Sequence, residues 1–145
     1  MSLYLDTSAL VKLYVEEDGS ALVRKWVHDA DLVATSILAY VEARAAFARR
    51  RREKQIAPAA YTQMLREFER DWDRYVVLDA TDPLIRSAGK LAETHALRAY
   101  DAIHLASAKI LKDKVAPTVS FASWDARLTV AGVKEGLNTL SHHEH

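Results

Sequence analysis

Residues 3–10, Leu3-Tyr4-Leu5-Asp6-Thr7-Ser8-Ala9-Leu10, decide how this chain folds. The apolar run is short and β-prone and passes at once into a helical pattern, so it reads as a buried strand feeding a helix. In parallel α/β sheets, ligands sit beyond the carboxyl ends of strands. Asp6 stands at such an end. The arrangement recurs at Phe121-Ala122-Ser123-Trp124-Asp125. A third acid, Asp101, opens the apolar helical stretch Ala102-Ile103-His104, and a fourth, Glu42, lies inside the helical stretch 37–43.

Outward from that segment, strands are expected at residues 2–5, 32–35, 75–78 and 118–122, with a weaker one at 138–140. Helical periodicity covers residues 8–15, 20–29, 37–54, 59–74, 83–95, 102–112 and 126–131. Strands alternating with helices imply crossover connections and a mostly parallel sheet of about five strands. Two consecutive helices before the third strand predict a protruding hairpin. Pro58 and Pro83 suit the first turns of their helices. The spacing of Tyr61, Met64, Leu65, Phe68 and Trp72 defines one apolar stripe, assigned to the core.

At 145 residues the chain is long enough for one substantial core. One domain is expected over 1–140, followed by a frayed histidine-rich tail at 141–145. The absence of cysteine excludes disulfides and thiolate metal sites and fits a reducing cytosol. No apolar run approaches the roughly 20 residues that span a bilayer, and no signal peptide is read at the start. The expected setting is therefore cytoplasmic, away from membranes. Zero formal net charge argues against holding nucleic acid by global attraction. Arg44, Arg49, Arg50, Arg51, Arg52 and Lys54 nevertheless form a basic block opposed there only by Glu53. Such a block either contacts phosphates or, more commonly, is a solvated helix end complementing the dipole.

Each aspartate alone has a structural explanation. Asp6, Asp101 and Asp125 all precede helical stretches, and an N-cap stabilises by about 1 kcal/mol. Glu42 lies too deep in its helix to cap it. With Val41 and Ala45 beside it, it is expected at the edge of the buried face, where a carboxylate needs a partner; Arg44 and Arg98 are the candidates. His104, one helical turn past Asp101, is expected to be a packed structural histidine rather than a supporting hydrogen-bond donor. Convergence of the acids would change their meaning. Two carboxylates about 6 Å apart repel by roughly 3 kcal/mol at an effective dielectric near 20. Four together imply protonation or a bound cation. Oxygen-only donors favour Mg²⁺ or Mn²⁺ over Zn²⁺, and such an ion suits phosphodiester hydrolysis.

The order of these segments adds a family resemblance. LYLDTSALVKLYVEE (3–17), SILAYVEARAAF (36–47), LRAYDAIHLASA (97–108) and FASWDARL (121–128) together resemble the PIN-domain ribonucleases, and within them the VapC-type toxins of toxin–antitoxin pairs. The resemblance implies a three-layer α/β/α sandwich and a metal-dependent endoribonuclease using Mg²⁺ or Mn²⁺. It makes Asp6, Glu42, Asp101 and Asp125 the catalytic, metal-binding quartet. Thr7 or Ser8 matches the small hydroxyl residue after the first acid, and Ser123 a small polar position before the last. An RNA substrate is implied, together with a cognate antitoxin and a homodimer or antitoxin-bound hetero-oligomer. Arg49, Arg50, Arg51 and Arg52 are candidate RNA contacts, and Leu10, Tyr14, Phe47 and Leu65 candidate antitoxin contacts. Trp124 is expected either to support Asp125 or to touch a base.

Other folds that place an aspartate after a first strand fit less well. Haloacid-dehalogenase phosphatases need a second acid two residues after the first, where this chain has Ser8. Receiver domains need paired acids near the first strand, and Leu3-Tyr4-Leu5 offers none. A catalytically silent PIN-like module binding RNA or protein is the stronger competitor, although all four acids are present.

Overall fold

In the computed structural model, Leu3, Tyr4 and Leu5 are fully buried, as a strand covered on both faces requires. The structure describes residues 1–140; the expected tail at 141–145 lies outside the described residues. Strand β1 (Ser2–Leu5) is central, and the sheet runs β3-β2-β1-β4-β5, with β2 Leu32–Ser36, β3 Val76–Leu78, β4 Val119–Ala122 and β5 Asn138–Leu140. Every pairing is parallel. The helices are α1 Thr7–Val11, α2 Ser20–Asp29, α3 Leu38–Arg52, α4 Pro58–Trp72, α5 Asp82–His95, α6 Ala99–Lys114 and α7 Ala126–Lys134.

The strand period of two sorts side chains between two cores. Tyr4 and Phe121 enter one, with Leu84, Leu91, Leu105 and Leu128 from α5, α6 and α7. Leu3 and Leu5 enter the other, with Leu10, Val23, Phe47 and Phe68 from α1 to α4. The result is the expected α/β/α sandwich. On α4, Met64 and Phe68 are buried, and Tyr61, Leu65 and Trp72 pack partly buried beside them, so the stripe is core. No helix among the described residues is long and apolar enough to cross a membrane.

From β1 the chain builds β2 and β3 on one side, then returns to place β4 and β5 on the other. That reversal puts a topological switch point between β1 and β4, where open α/β sheets form their ligand crevice. Leu5 pairs with Ala122, and the Asp6 amide donates to the Ala122 carbonyl at 3.2 Å. The residues just past these two strands therefore meet.

Several boundaries differ from the expected ones. Helix α1 ends at Val11 instead of continuing to Val15, because the amides of Lys12, Leu13 and Tyr14 bond three residues back and tighten the chain. Helix α7 runs through Gly132 to Lys134: a Cβ at Gly132 would sit 3.0 Å from the Thr139 methyl, so glycine lets β5 approach. Helix α6 begins at Ala99 with Arg98 at the cap position, which puts Asp101 inside the first turn rather than at its cap. An acid there still complements the helix dipole.

Candidate active site

Asp6, Glu42, Asp101 and Asp125 line a single cavity of about 330 Å³, with Thr7, Ser8, Arg98, His104 and Trp124. Each acid arrives on a different element. Asp6 caps α1, its Oδ1 accepting from the Ala9 amide at 2.9 Å and the Ser8 hydroxyl at 2.7 Å. Asp125 caps α7 in the same manner, accepting from the Leu128 amide at 2.9 Å. Asp101 rises from the first turn of α6, and Glu42 from the second turn of α3. A cavity of about 520 Å³ at the amino-terminal ends of β2 and β3 is lined by Leu13, Val27, Val33 and Tyr75 among others, and none of the four acids reaches it.

The electrostatics are those of crowded acids. Burial pushes the Asp101 carboxyl above its usual range; Asp125 and Asp6 push the same way, and Arg98 opposes them. The Arg98 guanidinium bridges Asp101 at 3.2 Å and Asp125 at 3.4 Å on a side chain 80% exposed. For Glu42, burial raises the pKa, but hydrogen bonds from His104 and Thr7 outweigh it and the carboxyl falls below its usual range. The expected partners of Glu42 are engaged elsewhere: Arg44 pairs with Glu69 at 2.9 Å, and Arg98 with the two aspartates. For Arg44 the reason is angular, since residues two apart on a helix do not share a face. The buried edge beside Glu42 is likewise made by Ala39, Ala43 and Phe47, whereas Val41 is 69% exposed.

The supporting residues separate by role. Thr7 Oγ1 donates to Glu42 Oε1 at 2.6 Å. Ser8 Oγ donates to Asp6 and accepts from the Trp124 amide at 3.1 Å, tying the two strand ends together. Ser123 is fully buried outside the cavity, its Oγ accepting from the Asp125 amide at 3.0 Å, and so shapes the turn that presents Asp125. His104, expected to be a packed or satisfied structural histidine, is buried and hydrogen-bonded to Glu42 at 3.1 Å and Thr7 at 3.0 Å. Arg98, expected beside Glu42, instead joins the two aspartates Asp101 and Asp125.

Trp124 lines the cavity, and its indole is held by its neighbours. Lys12 Nζ lies 4.8 Å from the centroid of its ring, and Trp26 packs at 5.6 Å between centroids. Gly19, at φ +94°, leaves room for that indole: a Cβ there would stand 2.5 Å from Trp124 Cζ2. Gly19→Ala combines this clash with a left-handed backbone, and we expect it to destabilise the protein by about 1–3 kcal/mol, measured by urea unfolding.

The arginines at 49–52 do not line the cavity. Arg49 pairs with Glu53, Arg50 with Glu17, and Arg51 lies over the Tyr61 ring. Arg50 lies roughly 12 Å along α3 from Glu42, eight residues at the helical rise. Leu10 and Phe47 are fully buried, so they cannot touch a partner; Leu65 lines a groove with Arg51 and Tyr61.

Among the described residues, no three acidic or histidine side chains are grouped tightly enough to hold a cation as they stand. The donor set still suits one: four carboxylates and two hydroxyls, all oxygen, with burial first and the neighbouring carboxylates after it raising Asp101. Asp101 supplies a test of this shift. Its raised folded-state pKa contributes stability that is complete below the ordinary aspartate range and lost as pH rises through the folded value. Metal-free Asp101→Asn should therefore be more stable than the parent at neutral pH, with the gap closing toward about pH 4. Urea unfolding in chelator across that range measures it; a constant gap would contradict the raised Asp101 pKa.

The family model for the PIN domain matches residues 3–119. This chain belongs to the PIN-domain family. The match spans Asp6, Glu42 and Asp101 and stops short of Asp125, which the β1–β4 pairing brings to the same cavity. Ribonuclease VapC49 of Mycobacterium tuberculosis is 38% identical to this PIN domain over 125 residues, covering 86% of this chain and 85% of the relative. Two solved structures share the fold. A toxin–antitoxin complex from Klebsiella pneumoniae superposes with a TM-score of 0.66 at 15% identity, covering 97% of this chain and 96% of that one. Mycobacterium tuberculosis VapC20, described as a sarcin–ricin loop cleaving toxin, gives 0.65 at 18% identity, covering 90% and 95%.

Proposed function

We propose that this PIN domain, a single unit over residues 1–140, is a Mg²⁺- or Mn²⁺-dependent endoribonuclease acting in the cytoplasm as the toxin of a type II toxin–antitoxin pair. The observation that carries the reading is the meeting of Asp6, Glu42, Asp101 and Asp125 in one cavity at the sheet's switch point. The ribonuclease name of a relative at 38% identity supports it, as does the shared fold with a toxin–antitoxin complex. Asp6 and Asp101 are assigned as direct ligands, with Glu42 and Asp125 completing the set directly or through water. A divalent ion held there supplies positive charge to a phosphoryl oxygen and acidifies a water.

The chain's own groups do the positioning. Thr7 orients Glu42, and Ser8 fixes Asp6 against the start of the Trp124 turn. Arg98, which lines the cavity on an 80% exposed side chain, is assigned to meet a phosphate. The Arg49–Arg52 block is proposed to guide the RNA backbone from outside the cavity. The antitoxin, or a second copy of the chain, is assigned to exposed apolar side chains flanking the site, Val41 and Tyr100, in place of the buried Leu10 and Phe47. Brief expression of the parent and of Asp6→Asn, followed by sequencing of cellular RNA ends, tests the reading. Discrete new ends from the parent alone are expected; identical end profiles would refute it.

A further inference from the structure

We propose that His104 is a positioning residue, clamped by the Tyr4 hydroxyl on one side and holding Glu42 and Thr7 in place on the other. The inference rests on the nuclease reading above. Four side chains from four elements form a continuous chain: Tyr4 on β1, His104 on α6, Thr7 on α1 and Glu42 on α3.

Proton bookkeeping assigns the direction of each bond. Thr7 Oγ1 has one proton and donates it to Glu42 Oε1 at 2.6 Å. Both atoms facing His104 Nε2 are then acceptors, Glu42 Oε1 at 3.1 Å and Thr7 Oγ1 at 3.0 Å. Nε2 therefore carries the hydrogen and shares it between them. In the neutral ring Nδ1 is left as an acceptor, and the Tyr4 hydroxyl donates to it at 2.8 Å.

The clamp is rigid. His104 is 2% exposed and Tyr4 fully buried, and the Tyr4 ring stacks on Phe121 with centroids 5.5 Å apart. A histidine present for volume alone would need only some acceptor for its N–H. Here each acceptor of the Nε2 hydrogen lines the acid cavity, and the hydroxyl behind Nδ1 belongs to the strand that ends at Asp6. Groups that orient metal ligands from behind are worth about 10–100-fold in metal affinity or activity when removed.

The test compares the parent with His104→Leu, His104→Gln and Tyr4→Phe. It measures Mn²⁺ affinity by calorimetry without RNA, kcat and KM on RNA, and unfolding temperature. His104→Leu, which retains buried volume, should weaken Mn²⁺ binding and lower kcat by about 10–100-fold each with KM for RNA unchanged. His104→Gln, whose amide N–H can donate toward Glu42, should recover part of both. Tyr4→Phe should move both in the same direction by less, and it carries the test if His104→Leu does not fold. An active parent, with every folded variant binding Mn²⁺ and turning over within about twofold of it, would overturn the positioning role alone, even if unfolding temperatures fell. A folded parent that neither binds Mn²⁺ nor cleaves RNA would overturn the nuclease reading and this role with it.

Discussion

Purified Asp6→Asn is expected to lose divalent-metal-dependent RNA cleavage by more than about a hundredfold, since even groups that merely orient a metal ligand are worth 10–100-fold, and to remain folded. Asparagine has nearly the same shape and caps helices as well as aspartate does. Its side-chain oxygen can still accept from the Ala9 amide and the Ser8 hydroxyl. What disappears is one negative charge on a residue only 3% exposed, at the point where β1 and β4 meet. Removing a charge from crowded acids relieves repulsion, so stability should stay within about 0.5 kcal/mol of the parent or rise. Cleavage rates with Mg²⁺ and with Mn²⁺, measured beside urea unfolding, separate the two effects. Equal rates for parent and variant would remove Asp6 from the chemistry.

The second large effect concerns the fold. Phe68→Ala is expected to cost about 3–5 kcal/mol, a large share of the 5–15 kcal/mol typical of a native domain. Phe68 is fully buried and edge-on to both Tyr14 and Phe47 at 5.3 Å, with Tyr40 at 5.6 Å and Trp72 at 5.7 Å. It thus joins α4 to α3 and to the chain after α1. The melting temperature should fall by on the order of 10 °C, measured by calorimetry in chelator. A shift below about 3 °C would mean that the α3–α4 pair holds by other contacts. Because α3 carries Glu42, this variant should also bind Mn²⁺ more weakly.

Much of the architecture was legible along the chain because its signals are local. A short apolar run that stops at an acid and turns helical marks a strand end whatever surrounds it, and Asp6 and Asp125 follow from that pattern. The start of α6 was not legible, since Arg98, Ala99 and Tyr100 carry no cap signal; Asp101 was consequently assigned to a cap it does not occupy. The partners of Glu42 were also out of reach. Arg44 looked available from spacing, whereas the donors are Thr7 and His104, 35 and 62 residues away. Leu10 and Phe47 looked equally suited to a partner surface and to a core, because periodicity identifies an apolar face without saying what covers it.

Order and type of elements, the all-oxygen character of the acids and the absence of thiol chemistry belong to the sequence by itself, because each depends on neighbours within a few residues or on residue identity. Which acids share a cavity was decided by tertiary structure. Strand β4 lies beside β1 through the pairing of Leu5 with Ala122 and the stacking of Phe121 on Tyr4, contacts between residues more than a hundred positions apart. Burial of those side chains selects that pairing, and the meeting of Asp6 with Asp125 follows from it.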